Sequence, residues 1–160
     1  MNKYSEQGKL CKEASIKLQK IGQEDKVRIL EHIADSLVKN SSYIIEQNRI
    51  DIKAAVKAGI KESLIDRLTL TQSRMEDIAD GIRKVAKLND PIGEITSMKV
   101  RPNGLQIGKK RVPLGVVGVI YESRPNVTAD VFALCFKTSN AVILKGGSDA
   151  LNSNRAIVYM

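Results

Sequence analysis

Val112–Ser148, VPLGVVGVIYESRPNVTADVFALCFKTSNAVILKGGS, reads as one strand–helix–strand unit. Residues 115–122, GVVGVIYE, form a continuous apolar run rather than an alternating one, the pattern of a strand buried on both faces. Residues 126–139 place Val127, Val131, Leu134 and Cys135 at helical spacing. Residues 141–145, AVILK, predict a second buried strand. A crossover of this length joins parallel strands and is right-handed. A polar loop follows each strand: Ser123-Arg124-Pro125-Asn126 after the first, Lys145-Gly146-Gly147-Ser148 after the second. Loops at the carboxyl ends of parallel strands are where α/β folds place ligands.

Upstream, residues 1–90 read as helices. Val27, Leu30, Ala34, Leu37 and Val38 recur at the three-and-four spacing of one helix face, with Glu24 and Asp25 in the first turn, where the helix dipole favours acids. Asn40-Ser41-Ser42 predicts a break and a cap for the next helix, whose inward set is Ile45, Ile52, Ala55 and Val56 and which ends near Gly59. A short element carries Leu64, Ile65 and Leu68. Thr71 can cap a further helix with the stripe Met75, Ile78, Ile82 and Val85, stopped by Asn89-Asp90-Pro91. Between the helices and the strand–helix–strand unit, residues 92–112 predict two extended arms, 94–101 and 105–112, around Pro102-Asn103-Gly104. A lone hairpin is marginal in water, so these arms are expected to pack on another part of the chain or on another subunit. Two parallel strands make an incomplete sheet, so the sequence reads as the front part of a larger α/β protein.

Composition narrows the function. The chain has 160 residues, 42% hydrophobic and 28% charged, a globular balance. Its net charge of +8 is unevenly spread. Residues 1–90 hold 17 Lys and Arg against 14 Asp and Glu, whereas residues 91–160 hold 9 against 4. The second part therefore suits an anionic ligand or cofactor phosphates. Scattered cations without interleaved aromatics argue against nucleic acid. Cys11, Cys135 and the single His32 have no metal-ligand spacing, so no metal site is predicted. Free thiols fit a reducing compartment, and no apolar run approaches a membrane span, so a cytoplasmic protein without membrane contact is expected.

The two loops carry the chemistry. Asn126 reads either as a helix N-cap or as an amide donor to a developing oxyanion. Arg124 reads either as a bidentate partner for carboxylate or phosphate or as an exposed surface side chain. Lys145-Gly146-Gly147-Ser148 reads either as a ligand loop, with a lysine that holds a phosphate or ribose, or as a strand-to-helix turn capped by Ser148. The dinucleotide fingerprint G-x-G-x-x-G is absent, since Gly115 and Gly118 lie inside a strand. Cys135, on the apolar side of its helix, reads as packing rather than as a nucleophile.

PLGVVGVIYESRPNVTAD (113–130) with SNAVILKGGSDALNSN (139–154) closely resembles the γ-glutamyl phosphate reductase family of the aldehyde dehydrogenase superfamily. ILEHIADSL (29–37), IIEQNRIDIKAAVKAGI (44–60) and DRLTL (66–70) look like that family's N-terminal helices. The resemblance implies an α/β fold made of N-terminal helices (1–90), a β-hairpin arm for oligomerisation (92–112) and the first, incomplete βαβ of a Rossmann-like NADP-binding domain (113–160), without the catalytic domain. It implies NADPH-dependent reduction of L-glutamyl 5-phosphate to L-glutamate 5-semialdehyde in proline biosynthesis, by a homo-oligomer. Asn126 aligns with the family's oxyanion donor. Lys145, followed by Gly146, Gly147 and Ser148, aligns with its cofactor-ribose lysine, and Ser123, Arg124 and Pro125 form the loop beside them. Ser148 stands where many NAD-preferring members have a glutamate, and its lack of charge favours a 2′-phosphate. Pro125 replaces the usual aromatic residue before the asparagine. The nucleophilic cysteine is expected outside this chain, which is expected to be inactive alone. The competing readings are another aldehyde or acyl-phosphate dehydrogenase and a non-catalytic basic anion-binding module.

Overall fold

The structure is a computed structural model that describes residues 3–159; the expected unit bounds at positions 1 and 160 lie outside the described residues. Five helices come first: α1 (Lys3–Leu18), α2 (Gln23–Lys39), α3 (Ser41–Lys57), α4 (Glu62–Leu68) and α5 (Gln72–Lys87). An antiparallel hairpin follows, β1 (Ile95–Val100) and β2 (Gln106–Lys110). The chain then runs through β3 (Val116–Ile120), α6 (Pro125–Lys137), β4 (Ala141–Lys145), a 3₁₀ turn (Ser148–Ala150) and α7 (Leu151–Val158). Strands β3 and β4 pair in parallel, from Val116 opposite Ala141 to Ile120 opposite Lys145.

The core lies between α2, α5 and α6. Leu30, Ala34 and Leu37 of α2 meet Met75, Ile78, Ala79 and Ile82 of α5, and Ala129, Ala133 and Phe136 of α6 close the cluster. Thr71 caps α5 as its position suggests, accepting the Arg74 N–H at 3.2 Å. The α3 helix ends at Gly59, whose φ of +69° is open to glycine at little cost; the Ile60 N–H reaches back to the Ala55 carbonyl at 3.1 Å. At the hairpin tip Gly104 takes a φ of +83°, again in the left-handed region.

Four expectations are corrected. First, Asn40 does not cap α3 with its side chain; its amide turns back to the Ser36 carbonyl at 2.8 Å. Second, the buried face of α3 is Ser41, Ile44, Asn48, Asp51 and Ala55, while Val56 is 59% exposed. Three of those positions are polar, so apolar spacing alone finds Ala55 but misses most of the face. Third, α6 buries Thr128, Ala129, Ala133 and Phe136, leaving Leu134 51% exposed and Cys135 half-buried off the stripe. Leu134 is on the wetter side, while the small Ala129 and Ala133 beside Phe136 allow close approach to α5 and α7. Fourth, β3 is shorter than 115–122 and is not buried on both faces; Ile120 is 84% exposed. β4 matches 141–145 but is only partly covered.

Two polar ties fix the strand–helix–strand unit to the helices. Lys137 is buried and donates to the Ala86 carbonyl at the end of α5, at 2.8 Å. Asn140 accepts the Gly115 N–H at 2.8 Å, joining the start of β3 to that of β4. Ser139, just before it, adopts a φ of +55° that turns the chain from α6 into the strand. The hairpin stands apart from this core, with Ile95, Met98, Val100 and Ile107 exposed. Among the described residues, no helix is long and apolar enough to cross a membrane.

Candidate functional site

Parallel pairing puts both polar loops at one end of the sheet. They are bonded to each other: the Tyr121 N–H donates to the Lys145 carbonyl at 3.1 Å, and Ser123 Oγ donates to Asp149 Oδ2 at 2.9 Å. Behind them, Thr128 Oγ1 donates to Asn154 Oδ1 at 2.9 Å and lies 2.6 Å from the Tyr121 hydroxyl. A threonine has one hydroxyl proton, so with that proton on Asn154 the tyrosine is the donor in the second bond.

The glycines of the second loop are required by this packing. A Cβ on Gly146 would overlap the Asn154 amide and press on the Tyr121 ring; one on Gly147 would stand 2.9 Å from Ser123 Oγ and 3.3 Å from the Ser123 backbone nitrogen. The 3₁₀ turn after Gly147 has no side-chain cap, so Ser148 does not play that part; its hydroxyl instead approaches Asp149 at 3.2 Å. Helix α7 is held from the other side by α3. The buried Asp51 carboxylate accepts from the Ser153 N–H (2.8 Å), the Ser153 hydroxyl (2.6 Å) and the Asn152 amide (2.7 Å). Asn48 donates to Ser153 Oγ at 3.0 Å and accepts the Leu70 N–H at 2.8 Å.

Two clefts open at this end. The larger, about 760 Å³, lies between α4 and the loops and is lined by Lys61, Arg67, Ser123, Arg124, Gly147 and Ser148. The smaller, about 380 Å³, lies between α5 and α6 and is lined by Arg67, Arg74, Asp77, Arg124, Asn126 and Asp130. Arg67 and Arg124 border both. The structure therefore brings Ser123, Arg124, Gly147 and Ser148 to one cleft and Asn126, with Arg124, to its neighbour. Pro125 is buried at the first position of α6, where its missing N–H is no loss. Gly146 is packed behind the loops. Lys145 ends β4 exposed, outside both clefts and without an ion pair among the described residues.

The N-cap reading of Asn126 fails, because Arg124 holds the cap position and Asn126 is the second helical residue. Its side-chain amide instead faces the smaller cleft and donates to Asp130 Oδ2, one turn along, at 3.2 Å. Burial pushes the Asp130 carboxyl above its ordinary range, and the amide hydrogen bond pulls it part of the way back. Asp130 is a residue that sequence reasoning missed, although its i, i+4 spacing from Asn126 was readable. Neither cysteine is at this end: Cys11 borders an apolar cavity under α1, and burial raises the Cys135 thiol, keeping it protonated. Among the described residues no three His, Cys, Asp or Glu side chains are grouped to hold a metal ion.

No protein-family model matches the chain. Individual proteins do. The chain is 55% identical over 157 residues to the γ-glutamyl phosphate reductase of Lachnospira eligens, covering 98% of itself and 38% of that relative. It superposes on the crystal structure of the γ-glutamyl phosphate reductase of Thermotoga maritima with a TM-score of 0.95 at 42% identity, over 99% of this chain and 38% of that one. Over almost its whole length the chain is similar to γ-glutamyl phosphate reductases, of which it covers one part. A probable aldehyde dehydrogenase from Listeria monocytogenes matches 93% of this chain and 31% of that one with a TM-score of 0.62. At 16% identity, that match speaks for a shared fold only. The chain spans 38% of the length of the γ-glutamyl phosphate reductases from Lachnospira eligens and Clostridium botulinum.

Proposed function

We propose that this chain is the cofactor-side part of an enzyme that reduces L-glutamyl 5-phosphate to L-glutamate 5-semialdehyde in cytoplasmic proline biosynthesis, with NADPH as reductant. The observation that carries it is the pairing of whole-chain similarity to γ-glutamyl phosphate reductases with an Asn126 amide that faces a cleft flanked by Arg124. In the balanced reaction one hydride and one proton enter, and aldehyde and inorganic phosphate leave. NADPH, when bound, supplies the hydride.

The residues of the chain take three roles in this reading. Asn126 donates an amide hydrogen to the oxygen of the acyl carbon as negative charge develops there, which an amide already fixed by packing does without reorganisation. Arg124, exposed at the head of α6 and without an ion pair among the described residues, faces the leaving phosphate. Lys145 holds the cofactor's adenosine ribose and its 2′-phosphate as a point charge. The fit for that group is supported by an exposed ammonium without a protein anion; Ser148 beside it is neutral, and the nearby Asp149 carboxylate is tied to Ser123 and Ser148. The nucleophilic thiol is neither Cys11 nor Cys135, so this chain alone does not turn over. Residues 1–90 and 113–160 act as one cofactor-binding unit, and the exposed hairpin of 92–112 is its contact with another copy.

The test uses the full-length reductase. NADPH oxidation that requires L-glutamyl 5-phosphate, together with a rise in melting temperature on NADPH addition, is the expected result. Absence of both overturns the assignment.

A further inference from the structure

The smaller cleft contains more charge than the chemistry at Asn126 uses. Arg74 is satisfied internally: it pairs with Asp66 at 2.9 Å and donates to the Asp66 and Thr69 carbonyls. Arg67, Arg124 and Asp77 enter no ion pair among the described residues, and Asp130 meets only the Asn126 amide. The second Asp130 oxygen, Oδ1, enters no hydrogen bond among the described residues and is not fully enclosed; it lies over Gly81 of α5, 3.7 Å from where a Cβ there would stand, in a residue that lines the cleft. A half-buried carboxylate with an open oxygen, across from α5 and its Asp77, is a site for a cation.

We propose that Asp130 binds the α-ammonium of the amino-acid substrate and so makes the enzyme selective for an α-amino aldehyde over the same chain without the amine. This rests on the proposed reaction. Along α6 the groups run Arg124, Asn126, Asp130: cation, amide donor, anion. Along L-glutamyl 5-phosphate they run phosphate, acyl carbon, ammonium, in the matching order. The lengths agree as well. The ammonium is four bonds from the reacting carbon, about 5 Å when extended. Asn126 and Asp130 are four residues apart, ~6 Å along the axis, with side chains that meet at 3.2 Å. A substrate whose acyl oxygen sits on the second Asn126 amide hydrogen therefore presents its ammonium to Asp130. The Asn126 hydrogen bond to Asp130 fixes which end of the asparagine amide faces the reacting carbon, so the same carboxylate orients the donor and reads the substrate.

The full-length enzyme, run in the oxidative direction with phosphate and NADP+, separates these two parts. The probes are L-glutamate 5-semialdehyde and 5-oxopentanoate, which differ only in the ammonium. Asp130→Asn retains the size of the side chain and an oxygen to accept from Asn126. Its expected effect is a KM for the amino aldehyde raised about 10- to 100-fold, the loss of one charged hydrogen bond, with a distinctly smaller loss of kcat/KM for 5-oxopentanoate, which reads the donor's orientation alone. Asp130→Glu, which keeps the charge, is expected to retain most of the preference. Equal losses on both aldehydes would make Asp130 a positioning residue for Asn126 alone and overturn the proposal. So would a wild-type enzyme indifferent to the ammonium, or a glutamate variant as unselective as the asparagine one. A wild-type enzyme that oxidises neither aldehyde removes the proposed reaction, and this inference with it.

Discussion

The two strand-end loops look alike in sequence, each short, polar and set between a strand and a helix, yet the structure uses them in opposite ways. The loop after β4 is braced. Gly146 and Gly147 are fitted against Asn154, Tyr121 and Ser123, and α7 behind them is held through Asp51. The loop after β3 is left open, with Arg124 unpaired and Asn126 and Asp130 facing a cleft. The glycines first suggest close approach by a ligand; the packing shows that close approach by protein already demands them. One loop is a support and the other holds reactive groups, and that division can be broken in order of effect.

The largest effect is expected at the open loop. Asn126→Ala in the full-length reductase should lower kcat by about 10²–10³, roughly 3–4 kcal/mol, with a small change in melting temperature. An unchanged kcat would show that the amide is structural and would erase the contrast between the loops. Next comes the brace. Asp51→Ala strands three N–H donors, from the Asn152 backbone and amide and the Ser153 backbone, and the Ser153 hydroxyl. Its cost should be about 3 kcal/mol in urea unfolding, with Asp51→Asn near half of that. Gly146→Ala follows, at about 1–3 kcal/mol, because the added methyl must displace the Asn154 amide. Gly147→Ala should cost less, since Ser123 Oγ can rotate away. If Gly146→Ala left stability intact but weakened NADPH binding, the second loop would be a ligand loop after all.

The parts of the fold that were legible in sequence are those where one signal acts alone. The β4 strand falls on AVILK, the hairpin turns at Pro102-Asn103-Gly104, and Thr71 caps α5, because chain polarity, turn chemistry and capping are local. The faces of α3 and α6 were misread for a shared reason. Asn48 and Asp51 are buried because partners 20 to 102 residues away satisfy them, and no local pattern reports such partners. On α6, Ala129 and Ala133 share the packed face with Phe136 while Leu134 is exposed, so side-chain size does not mark the face. The candidate site was legible as two loops and one asparagine. Its charges were not, because Arg67 and Arg74 come from a different stretch of chain and share a cleft with Asp130 only in three dimensions.

A smaller effect is expected at Lys145. It lies at the end of the braced strand but points no charge at the protein, so its removal should leave the fold alone. Lys145→Ala should weaken NADPH by about tenfold, near 1.4 kcal/mol, and reduce the thermal shift that NADPH produces. The melting temperature without NADPH should stay within a degree or two of wild type, as for other exposed substitutions. A loss of stability without loss of NADPH protection would move Lys145 from the cofactor side to the supporting side of the comparison.

The smallest effect is a pH dependence at Asp130. Its folded carboxyl titrates above its ordinary range, with burial as the main cause, so the folded state binds that proton more tightly than the unfolded state. The corresponding stability is fully present below the unfolded value and is lost as pH rises through the folded one. Above that window the chain bears the cost of a half-buried charge; Asn at the same position bears none. The melting temperature of Asp130→Asn minus that of wild type should therefore be more positive at about pH 7 than at about pH 4. The sign separates two accounts of the open loop. A carboxylate that merely strengthened the fold through Asn126 would give the opposite trend, with the variant losing most at neutral pH. A carboxylate retained against its own burial cost fits a group whose partner arrives with the substrate, since an ammonium beside it lowers its pKa and offsets that cost only in the bound state.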